Sequence, residues 1–248
     1  MELIIAFTIG AVLGSFYNVL IHRLPRGMSI VHPPSHCPNC KTKIRWRDNI
    51  PILSYLLLKG RCRYCAHPIP LRYLLVELAS GLLAVLCYLK WGLSYELLIF
   101  YFFFSALLVA SVIDWETFLL PDSITLGGLV TGLVLSFFRR DISPWESFLG
   151  AALGGAFFLL IYLYYTRLRK VEGLGLGDVK LMAFIGSFTG LYGVAYAVGL
   201  GSVLGLLYAF PIILKNRNLQ FVIPYGPFLS AGCFLGVMLD LKRFLVNF

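Results

Sequence analysis

The sequence predicts an all-α polytopic membrane protein of about eight transmembrane helices, with a small cytoplasmic insert whose four cysteines bind zinc. Three observations predict it. Hydrophobic residues make up 59% of the 248-residue chain and charged residues only 13%, a balance far from that of soluble domains. Apolar runs of roughly 17–25 residues recur, the length a helix needs to cross about 30 Å of hydrocarbon. These runs are continuous and lack the alternation of barrel strands, and a single long polar stretch, holding two CxxC pairs, interrupts them.

The elements follow in order. "LIIAFTIGAVLGSFYNVLI" has no basic region before it and no small-residue cleavage site after it, so it reads as a retained first helix. Spans are expected near residues 3–21, 73–90, 94–113, 123–138, 147–165, 179–189, 191–213 and 226–241, the sixth being short. Sixteen of the 21 Lys and Arg fall on one side of the resulting topology, Arg217 among them. Lys90, Arg139, Arg140, Lys242 and Arg243 fall on the other. By the positive-inside rule the loop 22–72 and the loop carrying Asp178 are cytoplasmic and the amino terminus is outside. Anionic membrane lipid accounts for the net charge of +9. No recognition module accompanies the charge, so nucleic acid is not an expected partner.

The segment from residue 23 to 72 is read as a domain of its own, between a first helix (1–22) and a membrane domain (73–248). Twenty-one residues separate the Cys37/Cys40 pair from the Cys62/Cys65 pair, just beyond the usual zinc-ribbon spacing. Four thiolates can close a tetrahedron around Zn²⁺, and the metal would stabilise an insert with little core of its own. A cytoplasmic location disfavours the alternative of disulfides. His36 and His67 flank the pairs and are read as solvated; Cys87 and Cys233, alone in apolar spans, are read as small buried hydrophobes.

Ionisable groups at membrane depth are costly and therefore functional candidates. Asp114 lies at the cytoplasmic end of the third span and Asp178 at the cytoplasmic start of the sixth. Two carboxylates that meet there hold one proton between them and can activate water against a peptide carbonyl. The competing reading pairs Asp178 with Lys180 or uses it as a helix cap. Asp122, in "LPDS", is read as a cap of the next helix. Glu77 lies about a turn inside the second span, either paired with Arg72 or facing a polar cavity beside the insert. Glu116 is read as solvated, and Asp141, Glu146 and Asp240 as water-facing on the outer side. In "GLGLGDV", glycines 173, 175 and 177 leave the chain free to take φ > 0 and let another backbone approach.

Several of these motifs occur together in one family. "GSFYNVLIHRLPRG" at 14–27, "CPNC" and "CRYC" flanking "WRDNIPILSYLLLKG", "IPLRYLLVELASG" at 69–81, "IDWETFLLPD" at 113–122 and "GLGDVKLM" at 175–182 resemble type IV prepilin peptidases. These are the bifunctional leader peptidases and N-methyltransferases of type IV pili and type II secretion. "GLGD" is similar to the GxGD signature of intramembrane aspartic proteases. The resemblance implies that Asp114 and Asp178 are catalytic and Asp122 is not. It implies substrates that are prepilins or pseudopilins, with a short basic leader cut at the cytoplasmic face of the bacterial inner membrane. Gly175 and Gly177 would then give an unwound substrate access. It also assigns the insert to N-methylation of the new amino terminus, with S-adenosylmethionine as donor; no motif marks that donor's site, and Glu77 is the candidate. The rival from residues alone is a proton-coupled transporter using the two aspartates as a relay, and a third reading is a zinc-dependent scaffold without chemistry.

Overall fold

The computed structural model describes residues 1–170, 173–216 and 223–240. The tail of the last predicted span at 241, and Arg217, Lys242 and Arg243, lie outside the described residues. The chain divides into two compact units, Met1–Ser105 and Ala106–Phe248.

In the first unit, α1 (Glu2–Arg23) ends in a 3-10 turn, Leu24–Arg26, stopped by Gly27 at φ 62°. The insert that follows holds a 3-10 turn, Trp46–Asn49, and a short α-helix, α2 (Leu53–Leu57), and leads to α3 (Arg72–Trp91) and the first part of α4 (Tyr95–Thr117). Small residues bring α1 and α3 together. A Cβ on Gly14 would lie 2.8 Å from the Glu77 Cα, and one on Gly10 would lie 2.6 Å from the Ser80 carbonyl, so the backbones meet as in other small-residue membrane crossings. Polar side chains then cross the seam. Ser80 Oγ donates to the Gly10 carbonyl at 2.7 Å, and Asn18 Nδ2 donates to the Tyr73 carbonyl at 3.0 Å.

The second unit contains the end of α4, then α5 (Asp122–Leu135), α6 (Pro144–Leu163, continued by a π-helical turn, Tyr164–Arg169), α7 (Leu176–Asn216) and α8 (Gly226–Met238). Ser143 and Glu146 form a capping box that starts α6, which gives Glu146 a definite partner.

The 41-residue α7 is broken at Gly190, whose φ of 64° and ψ of −163° only glycine adopts readily. The chain reverses there. Gly150 of α6 faces Gly186 and Gly190, whereas Gly154, one turn on, is contacted by both Met182 and Val194. Both halves of α7 therefore run away from Gly190 along the same neighbour, and the break falls between the expected spans 179–189 and 191–213. Carbonyls freed by the break find donors: Ser147 Oγ bonds the Ser187 carbonyl at 2.6 Å, and Arg139 Nη1 bonds that of Phe188 at 2.8 Å. Arg139 is held in turn by Asp141.

Five helices of the described residues are long and apolar enough to cross a membrane: α1, α3, α4, α6 and α7. Helices α5 and α8 are apolar but shorter. The chain is thus an all-helical, multi-pass membrane protein. Eight crossings would follow if the reversal at Gly190 makes α7 two spans and both shorter helices cross as well.

Candidate functional sites

One end of the second unit gathers the carboxylates. Asp114 lies three residues before the end of α4 and is 5% exposed; Asp178 lies in the first turn of α7 and is 9% exposed. The two are separated by 64 positions in sequence and are close enough for their charges to interact.

Each aspartate has a backbone donor. Asp114 Oδ2 accepts the N–H of Gly226, the first residue of α8, at 3.0 Å, so the positive end of a helix dipole points at it. A Cβ at Gly226 would lie 2.7 Å from that same oxygen; only glycine brings the amide so close. Asp178 accepts from the Gly175 N–H, and its own N–H donates to the Gly175 carbonyl at 3.1 Å. Asp178 thus makes the return half of a capping box while its charge stays within reach of that of Asp114.

Lys180 does not neutralise Asp178. Its Nζ lies 2.5 Å from Asp122 Oδ1, and the pair sits on the surface at the same end of the unit. The capping role expected of Asp122 is therefore corrected: Pro121 occupies the cap position, Asp122 is the first helical residue, and no side chain caps α5. The ammonium, arriving from 58 residues away, outcompetes free amides for the carboxylate.

The glycines before Asp178 are also reread. None of 173, 175 and 177 is among the glycines with positive φ, which in the described residues are Gly27, Gly60, Gly92 and Gly190. Since α7 begins at Leu176, Gly177 is already helical. Its missing Cβ admits the Leu120 side chain, which an added carbon would meet at 3.0 Å, and Gly173 lies under the Tyr165 ring. Among the described residues, a Cβ added at Gly175 would meet only the Asp178 carboxylate at 3.5 Å and the Gly177 backbone nitrogen at 3.8 Å.

The four insert cysteines, Cys37, Cys40, Cys62 and Cys65, come together, with all Sγ atoms within 4.8 Å of one another. Two matching knuckles produce this. The Cys37 N–H bonds the Thr42 carbonyl and the Cys62 N–H bonds that of His67, while Lys41 and Ala66 take left-handed φ at the turns. Sulfurs of different knuckles approach closely, Cys37 to Cys65 at 3.8 Å and Cys40 to Cys62 at 4.0 Å. A tetrahedron with Zn–S bonds of about 2.3 Å has edges of about 3.8 Å, so the quartet fits zinc. Hydrogen bonds from Thr42 bring Cys40 down to about 6, a thiolate at neutral pH, whereas burial pushes Cys37 up to about 11.

Glu77, 7% exposed, reaches from α3 to the insert. Its Oε2 accepts the Ile52 N–H at 2.7 Å, and Ser15 of α1 also bonds its carboxylate. Ile52 itself, at φ 63° and ψ −54°, is the centre of a γ-turn of the rarer, strained form, closed by Leu53 N–H to the Pro51 carbonyl.

These features define a class: a multi-pass helical membrane protein with two buried aspartates in its second unit and a four-cysteine module between its first two long helices. Comparison with known proteins gives the family. Residues 8–91 match the bacterial peptidase A24 N-terminal domain, and residues 101–210 match the type IV leader peptidase family. Among relatives, the prepilin leader peptidase/N-methyltransferase of Burkholderia pseudomallei strain 1026b is 36% identical, over 94% of this chain and 84% of its own. That of Klebsiella pneumoniae is 40% identical, over 74% and 83%. A type 4 prepilin-like proteins leader peptide-processing enzyme of Escherichia coli strain H10407 is 38% identical, over 90% and 88%. The chain belongs to the type IV leader peptidase family. No solved structure matches it.

The sequence reading missed Gly226, Ile52 and the Asp122–Lys180 pair. Only "YGP" at 225–227, a glycine and proline opening an apolar run, hinted at a helix start.

Proposed function

We propose that the chain cleaves the basic leader from type IV prepilins or type II secretion pseudopilins at the cytoplasmic face of the bacterial inner membrane, then N-methylates the new amino terminus. The observation that carries the cleavage reading is that Asp114 and Asp178 are both buried, both bonded to backbone amides and near enough for their charges to interact, while Lys180 pairs with Asp122. The names and coverage of the relatives support both activities.

In this mechanism the pair holds one proton. The ionised aspartate takes a proton from a water as that water attacks the scissile carbonyl, while the protonated one donates a hydrogen bond to the carbonyl oxygen and its partner later returns a proton to the leaving amine. Gly175, exposed and with room around it among the described residues, is the place where an unwound substrate backbone would pass. The positive-inside rule puts this end in the cytoplasm and the amino terminus outside, where a leader retained in the cytoplasm presents its cleavage site. The boundaries 1–22, 23–72 and 73–248 remain the functional division in this reading.

Cys37, Cys40, Cys62 and Cys65 would hold a structural zinc, which supplies folding energy to the insert. S-adenosylmethionine is the methyl donor the reading requires, and no residue is assigned to it.

The test is substitution. Asp114→Asn and Asp178→Asn should each abolish cleavage of a prepilin in detergent or proteoliposomes while the protein still inserts. Near-normal cleavage by either variant would remove the aspartate pair as the catalyst, and proton-coupled transport would then become the reading to pursue.

A further inference from the structure

We propose that α2 and Trp46 form an interfacial membrane anchor, seated between headgroups and acyl chains of an anionic bilayer, so that the four-cysteine insert lies against the membrane.

Depth is the first argument. Ile52, which immediately precedes α2, bonds Glu77, and Glu77 lies five residues into α3. At 1.5 Å per residue that is about 7.5 Å along the helix from its start. On the other side Glu77 packs against Gly14, nine residues and about 13 Å short of the end of α1. The Glu77 side chain leans back toward the start of α3, so the chain entering α2 is held close to the first turn of α3 and short of the end of α1. Ser54 strengthens the attachment: its hydroxyl bonds the Arg47 carbonyl and accepts the Ile50 N–H.

The surface presented at that depth is apolar. Leu56 is 59% exposed, Leu57 73% and Trp46 76%, with Leu53 also exposed. Water penalises such a patch on a cytoplasmic loop, whereas the acyl boundary accepts it. Charge selects the lipid. Between residues 23 and 72 ten Lys and Arg stand against one acidic residue, Asp48, and Asp48 is bound by Arg63 at 2.6 Å. Arg45, Arg47, Lys59 and Arg61 are exposed around the patch, and the Arg47 guanidinium lies 6.0 Å from the Trp46 ring. Leu and Trp below, with Arg and Lys above, match an anionic interface. The same excess of cations repels a basic peptide, so lipid is the occupant and a leader segment is not.

The strained γ-turn at Ile52 fits this arrangement. Its sharp reversal swings the chain from the knuckle level into α2, and the buried Glu77 carboxylate holds it there.

The experiment uses the full chain in nanodiscs containing brominated lipids. The chain has four tryptophans, so the Trp46 emission is taken as the difference between wild type and Trp46→Phe. In phosphatidylglycerol-containing discs, lipids brominated near the headgroup end of the chain should remove most of that difference emission, and lipids brominated at the chain terminus should remove little. Leu56→Glu/Leu57→Glu should lose the quenching. The proposal is overturned if Trp46 is reached by aqueous acrylamide and by no bromolipid, or if quenching is identical in purely zwitterionic discs. It is equally overturned if Trp46 becomes shielded only when a prepilin is added, which would make the patch a protein-docking surface.

Discussion

Asp114 takes its position from a single amide, and Gly226 is the residue that makes the approach possible. Gly226→Ala would put a methyl 2.7 Å from Asp114 Oδ2, so the carboxylate or the start of α8 must move. A displacement approaching 1 Å costs on the order of 100-fold in rate; prepilin cleavage should fall by roughly that factor while expression and insertion persist. Wild-type turnover in this variant would show that the amide contact is irrelevant to chemistry. A second residue-scale expectation concerns Asp48, which the Arg63 guanidinium holds below the usual carboxylate range. Because the folded value is depressed, the pair contributes fully above the unfolded value of about 3.9 and its contribution is lost as pH falls through the folded value. Thermal unfolding of the insert should therefore lose a pH-dependent increment below about pH 4, and Arg63→Gln should flatten it. An unaltered pH dependence in that variant would dissociate Asp48 from Arg63.

At the scale of elements, glycine contacts hold the bundle. Gly186 and Gly150 cross with backbones in contact, whereas Gly127 has nothing within 4 Å of an added Cβ. Gly186→Ala should thus destabilise the protein by about 1–3 kcal/mol, as overpacking does, and Gly127→Ala should be neutral or slightly stabilising through helix propensity. Thermal unfolding in detergent compares them, and equal midpoints would contradict the packing described. Much of this level was legible in the sequence. Continuous apolar runs located the helices, and the gap between the expected spans 179–189 and 191–213 falls at Gly190, where α7 breaks. Local rules misled where a distant partner or helical geometry took precedence. "LPDS" reads as a cap, but Lys180 claims Asp122. "GLGLGD" reads as left-handed freedom, but the helix has begun by Leu176. The Gly226–Asp114 bond spans 112 positions, a separation that no local pattern records.

At the scale of the whole molecule, the four-cysteine module belongs to the first unit and the aspartates to the second. Their chemistries should therefore be separable. Cys40→Ser should lower bound zinc, measured by atomic absorption, and impair methylation far more than cleavage; equal loss of both would make the insert a support for the entire fold. The CxxC pairs and the two aspartates were all recognisable in the sequence, because each is a local motif or a conspicuous charge in an apolar run. What joins them to the rest, through Ile52, Glu77 and Gly226, was not recognisable, since those contacts depend on backbone groups that any residue possesses.

The distance between Asp114 and its amide donor also has a meaning in time. The chain is made from its amino terminus at about 5–20 residues per second, so Gly226 emerges roughly 6–20 s after Asp114. Until then Asp114 lacks the hydrogen bond that orients it, although the cysteine module and Asp178 are already made. A nascent or truncated chain that stops short of α8 thus lacks the amide that, in the proposed reading, completes the aspartate site.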